Sequence, residues 1–183
     1  MARMLEERSA VVFDADDFAR QAVEPGTPGY ARVIAEFGPE AVTASGGLDR
    51  EWLADRVFAD PEARQRLEAI IHPEVGRLAA EAIEPYRGTD RVVVYVVPLL
   101  VENRMEGMFD MVVLVSADEE ARIARVARDR GLSERSVRER MAAQLTDRKR
   151  ERAAHFIVRN DGSFEDLARE VDVLWRELQR RAL

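Results

Sequence analysis

Residues 92–97 read VVVYVV, an apolar run without a charge, and Pro98 follows it directly. Five of these six side chains are valine, and β-branched side chains are stiff and pack well on a pleated surface. A short, valine-rich run of this kind predicts a strand buried on both faces, as in a parallel sheet covered by helices. Pro98 ends it, because proline cannot donate to a ladder in mid-sheet. Leu99, Leu100, Glu102 and Asn103 then fall just past the carboxyl end of a central strand, which is where open α/β sheets bind ligands. An ordinary core strand followed by a turn has the same pattern.

Around this run the chain alternates strand and helix signals. Residues 10–13, 111–115 and 156–158 are apolar strand candidates. Helix starts are marked by Asp49, by Asp60-Pro61-Glu62, by Asp118-Glu119-Glu120, by Ser133 and by Ser163 with Asp166 three residues on. Gly38 and Gly131 mark helix ends. Pro73 is expected to break or kink the helix that Asp60 opens, with His72 at the kink and a second amphipathic helix running on to Pro85. Strands alternating with helices predict an α/β fold with a mainly parallel sheet flanked by helices.

At 183 residues a single domain with small inserted subdomains is expected. The net charge of −7 argues against general nucleic-acid affinity. The charged fraction of 34% and the short apolar runs argue against a membrane protein. There is no cysteine, which removes disulfides and thiolate metal ligands. Arg3, Glu6, Glu7 and Arg8 interrupt any signal-peptide pattern, so the expected setting is the cytoplasm.

Few residues stand out chemically. Asp14 and Asp16 follow the strand at 10–13, and alternate side chains of an extended segment share a face. Carboxylates in that place can ligate a metal, act as a general base or cap a helix. His72 is one of two histidines and reads either as a structural or as a catalytic side chain. Residues 125–152 are rich in arginine, while Lys149 is the only lysine of the chain. Such a stretch is either a solvated face paired with Glu134, Glu139 and Glu151, or an anion site built from guanidinium forks.

Taken in order, these pieces resemble the dephospho-CoA kinases, P-loop kinases that complete coenzyme A synthesis. Val97-Pro98-Leu99-Leu100-Val101-Glu102 is similar to the signature of that family, and Phe13-Asp14-Ala15-Asp16 with Ala19-Arg20 to its Asp-Ala-Asp motif. Val23-Glu24-Pro25-Gly26, His72-Pro73, the segment from Arg125 to Gln144 and Asn160-Asp161-Gly162 follow in the family's order. Arg159 stands where the family tends to carry Asp. The resemblance implies ATP as co-substrate, with Mg2+ accompanying it, and phosphorylation of the ribose 3′-hydroxyl of dephospho-CoA. It makes Asp16 the group that accepts or orients that hydroxyl, and Arg125 the group that stabilises the transferred phosphate. Asp14, His72, Pro98, Leu99, Leu100 and Glu102 would lie on the substrate side, and Arg128, Arg140, Asn160 and Gly162 on the nucleotide side. No protein metal site is implied. Residues 1–23, 87–130 and 153–183 would form the core, 24–86 a helical substrate insertion and 131–152 a mobile lid.

The chain departs from the family at its beginning. No phosphate-cradling GxxxxGK[ST] occurs in it, and Lys149 follows no glycine run. Residues 1–5 resemble the helix just after that loop, so the resemblance implies a reading frame beginning about 15 to 20 residues upstream, the size of a strand plus the loop. On that expectation the 183 residues alone are inactive. The competing expectations are a non-catalytic protein that binds CoA-like nucleotides or a partner, and another small-molecule P-loop kinase.

Overall fold

The computed structural model describes residues 1–142 and 145–182. Positions 143 and 144, within the expected lid, and the end of the resembling segment at Gln144 lie outside the described residues. In chain order the elements are α1 (Ala2–Glu6), β1 (Val11–Asp14), α2 (Ala15–Gln21), α3 (Pro28–Phe37), α4 (Arg50–Ala59), α5 (Pro61–Ile83), β2 (Val93–Val96), β3 (Val113–Ser116), α6 (Glu119–Arg130), α7 (Glu134–Ala142), α8 (Asp147–Ala153), β4 (Phe156–Arg159) and α9 (Phe164–Ala182). They fall into two compact units, Met1–Val11 with Pro98–Leu183, and Val12–Val97. The expected insertion at 24–86 lies within the second unit and the expected lid at 131–152 within the first.

In the unit Val12–Val97, β1 is hydrogen-bonded beside β2, and α2, α3 and α4 each pack on α5. The caps explain where these helices begin. Thr27 Oγ1 accepts the Tyr30 amide at 3.1 Å and Asp49 Oδ1 the Trp52 amide at 2.9 Å. Asp60 Oδ1 takes the amides of Glu62 and Ala63. Val33 and Ala41 are fully buried, with Ala22, Val23 and Leu53 nearly so, and Leu67, Ile70, Ile71, Val75 and Leu78 of α5 pack against them.

Pro73 does not break α5. The helix runs unbroken over 23 residues with Pro73 inside it. A proline in a helix interior costs about 3 kcal/mol, yet here the apolar stripe continues on both sides of it, from Leu67 to Ile71 and on to Val75 and Leu78, into one core. The carbonyl that loses its donor belongs to Ala69, an exposed residue, so water can take that bond.

β2 also differs from expectation. Val93 to Val96 are half-buried rather than buried on both faces. The reason is topological: among the described residues its hydrogen-bonded neighbour is β1 alone, so the pair is not the interior of a wide sheet.

In the other unit, β3 and β4 are parallel, with Val113 opposite Phe156 and Ser116 opposite Arg159. A parallel pair needs a long crossover, and α6, α7 and α8 supply it. α9 packs on β4 and on α1, and buries Leu167, Val171 and Leu174, while α1 contributes Met4 and Leu5. Ser163 and Asp166 form a reciprocal capping box at the start of α9, with each amide donating to the other's side chain. Among the described residues, no helix is long and apolar enough to cross a membrane.

Candidate active site

In the unit Val12–Val97, strand β1 ends at Asp14 and α2 begins at Ala15. Asp14 is the N-cap of α2: its Oδ1 accepts the backbone amide of Asp16 at 2.8 Å. The bond fixes the first turn of the helix and thereby the direction in which Asp16 leaves it. Asp16 and Asp17 sit in the first turn of the helix. Asp17 pairs with Arg20 at 2.5 Å. Asp16 opens onto a cleft of about 340 Å³, with Arg20 and Arg50 as its basic members and Leu53, Val57 and Ile71 among its apolar walls. His72, the next residue on α5, is exposed and is not part of that wall.

Behind the Asp14 turn lies an aromatic cluster. Phe13 stacks on Phe18 at 5.8 Å between ring centres, and Phe18 meets Tyr95 at 5.9 Å. Burial pushes the Tyr95 phenol above its ordinary pKa, and the negative charge of Asp14 adds to the shift.

In the other unit, Pro98 and Leu99 are exposed, and Leu100 and Glu102 are half-buried. The turn they make is closed by amides of Asn103 and Met105 donating to the carbonyls of Leu99 and Leu100, each at 3.0 Å. Glu102 faces Arg150, whose Nε and Nη2 both donate to its Oε1, at 3.1 and 2.6 Å. Burial alone would raise the Glu102 pKa, but the hydrogen bonds and positive charge of Arg150 outweigh it and leave the carboxyl below its usual range.

Arg125 on α6 donates through Nη1 to the carbonyl of Asn160 at 2.9 Å. The structure thus joins two residues expected on the phosphate and nucleotide sides. The Asn160–Gly162 turn is held on three sides. The Asn160 amide donates to the Ser116 carbonyl at 2.8 Å, and Asp161 Oδ1 accepts the Asp118 amide at 2.6 Å. A Cβ at Gly162 would lie 2.4 Å from the capping carboxylate of Asp166, so a larger residue there would push that side chain out of its cap. Arg159 is turned toward Ser116 Oγ at 3.3 Å and Glu151 at 3.4 Å. Arg128 pairs with its neighbour Asp129 at 2.8 Å and Arg140 is exposed on α7. Among the described residues, neither is hydrogen-bonded to the Asn160 turn.

Much of the arginine-rich stretch is paired. Arg135 bonds Glu139 one turn along α7, Arg138 grips Glu120 of α6 through both nitrogens, and Arg122 grips Asp147 of α8. The Nε of Arg122 is buried and has no hydrogen-bond partner among the described residues. Sequence reading missed Arg50 and Asp147, and did not single out Arg122 or Arg150 from the other arginines. Arg122 carried one available signal, since it lies three residues before Arg125 and shares its helix face.

An α/β fold with parallel strands and flanking helices matches that of solved structures. The Campylobacter jejuni dephospho-CoA kinase superposes with a TM-score of 0.75 over 99% of this chain and 90% of its own, at 19% identity, a likeness of fold. The Thermus thermophilus protein TT1252 superposes with a TM-score of 0.79 at 36% identity, over 97% of this chain and 89% of its own. In sequence, the dephospho-CoA kinases of Streptomyces avermitilis and Thermobifida fusca are each 43% identical to this chain, over 100% and 99% of it and 88% and 90% of their own lengths. The dephospho-CoA kinase family model matches residues 1–166. The chain belongs to the dephospho-CoA kinase family.

Proposed function

We propose that the cleft beside Asp16 takes dephospho-CoA, and that Asp16 accepts or orients the proton of its ribose 3′-hydroxyl for attack on the γ-phosphate of ATP. The observation that carries this reading is the placement of Asp16. Its carboxylate opens onto a largely apolar cleft, fixed by the Asp14 cap and flanked by Arg20 and Arg50. A carboxylate so placed can receive a proton, while the arginines offer charge to the anionic part of a nucleotide. Asp14, held in the cap, supports Asp16, and Pro98 and Leu99 serve in substrate binding. Arg125 supplies charge to the transferred phosphoryl group, because phosphoryl transfer is chiefly positioning and electrostatics. The Asn160–Gly162 turn takes the adenine side. Residues 24–86 serve as the substrate insertion and 131–152 as the lid, and the setting is the cytoplasm.

Among the described residues no cluster of three acidic or histidine side chains is placed to hold a metal, so Mg2+ would be held chiefly by the ATP phosphates. Bound there, it would offset phosphate charge.

The 183 residues contain no GxxxxGK[ST], and this favours a second reading in which they bind dephospho-CoA without turning ATP over. Both readings are tested with ATP, Mg2+ and dephospho-CoA, the product being followed by mass. The assay compares the 183 residues with the same chain fused to a strand and GxxxxGK[ST] loop. Turnover in the fusion that falls about 10²-fold or more in Asp16→Asn supports the kinase reading. Near-normal turnover in Asp16→Asn removes Asp16 from its role, and a fusion that binds dephospho-CoA without turnover leaves the binding reading.

A further inference from the structure

We propose that Glu102 is a positioning residue that acts through Arg150, Asp147 and Arg122 to set the place of Arg125, and does not itself touch the substrate. The proposal rests on the kinase reading for the role of Arg125, but its physical content stands on one ladder of charges. Glu102, in the turn after Pro98, accepts two hydrogen bonds from Arg150 of α8. Arg150 in turn reaches Asp147 at 3.6 Å. Asp147 receives both terminal nitrogens of Arg122 on α6, at 3.1 and 2.5 Å. The side chains of Glu102 and Arg150 are only 18% and 15% exposed, so solvent screens this pair far less than the surface pairs around it. The ladder therefore ties three separate segments: the post-strand turn, the start of α8 and the face of α6 that carries Arg125.

Two details give it direction. Asp147 opens α8 and Arg150 lies in its first turn, so Glu102 holds the start of that helix through both. Arg122 precedes Arg125 by three residues on α6, and fixing one guanidinium limits how that face can rotate. Arg125 is bonded at its far end to the Asn160 carbonyl. A carboxylate used in this way already accepts two hydrogen bonds from Arg150, which suits an anchor better than a ligand for an anionic substrate.

The test uses the whole chain and needs no turnover. The guanidinium signals of Arg125 are followed by 15N NMR, and amide exchange by mass spectrometry, in wild type, Glu102→Gln, Glu102→Ala and the charge-swapped pair Glu102→Arg with Arg150→Glu. Dephospho-CoA affinity is measured by calorimetry in each. The expected result is at least tenfold faster exchange over residues 119–130 and 145–153 in Glu102→Ala. Restricted rotation at Arg125 should be lost with it, α9 should stay protected, and affinity should hold within twofold. Glu102→Gln is expected to be milder, and the swap to restore part of the protection at Arg125. Unchanged Arg125 signals in both single variants overturn the proposal. So does a tenfold loss of affinity with exchange unaltered, which would make Glu102 a ligand. If Glu102→Ala unfolds throughout, Glu102→Gln decides by the same criteria. A wild type that binds no dephospho-CoA defeats the kinase reading, while the Arg125 signals still decide the ladder.

Discussion

Replacing Gly29 with alanine should destabilise the unit Val12–Val97, whereas the same replacement at Gly76 should stabilise it. Gly29 is buried in the first turn of α3. A Cβ there would stand 2.1 Å from the carbonyl oxygen of Ala22 and 3.1 Å from its carbonyl carbon. The obstacle is backbone, so relief requires moving the end of α2 or the start of α3 by about 1 Å or more to regain a normal contact. The same carbonyl accepts the Thr27 hydroxyl at 2.9 Å, and that bond would be disturbed as well. Overpacking costs about 1–3 kcal/mol and a lost hydrogen bond about 0.5–1.5 kcal/mol. The gain of alanine over glycine in a helix returns at most about 1 kcal/mol. The net cost is then about 1–4 kcal/mol, a fall in Tm on the order of 5–10 °C near the middle of that range. Gly76 lies inside α5 and is exposed, and a Cβ there meets nothing within 4 Å. Alanine at that site should gain about 0.5–1 kcal/mol by restricting the unfolded chain. Trp52 belongs to this unit and packs on its core, so urea unfolding is followed by its fluorescence in a Trp175→Phe background. A midpoint for Gly29→Ala at or above that of the parent refutes the close approach of α3 to Ala22. A lowered midpoint for Gly76→Ala refutes the open face of α5.

Asp14→Ala should cost about 0.5–2 kcal/mol through loss of the α2 cap, while Asp14→Asn should keep most of that stability. In Asp14→Asn the phenol of Tyr95 should titrate at lower pH than in wild type, because one of the two causes that raise it is gone; ultraviolet absorbance on alkaline titration reads both proteins. Leu174→Ala should cost about 2–5 kcal/mol, since Leu174 is fully buried in α9; chemical unfolding followed by Trp175 fluorescence measures it. Glu177, bonded by Arg180 and Arg181, is held down to about 2. Its folded pKa is depressed, so whatever stability it contributes is present above its unfolded value and is lost as pH falls toward 2. Carboxyl 13C shifts should show Glu177 still ionised at pH 3.

Local signals carried most of the fold. Asp60, Asp118 and Ser163 begin helices in the sequence and in the structure because capping is a contact across two or three residues. The strands at 93–96, 113–116 and 156–159 were legible as short apolar runs rich in β-branched residues. The break expected at Pro73 is absent, because its local penalty is offset by a core contributed from α2, α3 and α4, which no window around Pro73 contains. The burial of β2 misled because burial depends on its neighbours rather than on its own composition. At the site, Asp16 was legible through its place after a strand. The partners of Glu102 and Arg125 were not, since Arg150 is 48 residues from the one and Asn160 is 35 residues from the other.

If Asp16 faces the ribose 3′-hydroxyl, its carboxylate must repel the 3′-phosphate that distinguishes CoA from dephospho-CoA. Like charges a few ångströms apart at a protein surface cost about 1–4 kcal/mol, equivalent to about fivefold or more in affinity. The decisive measurement is the ratio of dephospho-CoA to CoA affinity, by calorimetry, in wild type and in Asp16→Asn. The expected result is tighter binding of dephospho-CoA by wild type, with the preference falling by about tenfold in Asp16→Asn chiefly because CoA binds better. A ratio that Asp16→Asn leaves unchanged, or a wild type that binds neither ligand, would contradict the placement of the substrate beside Asp16.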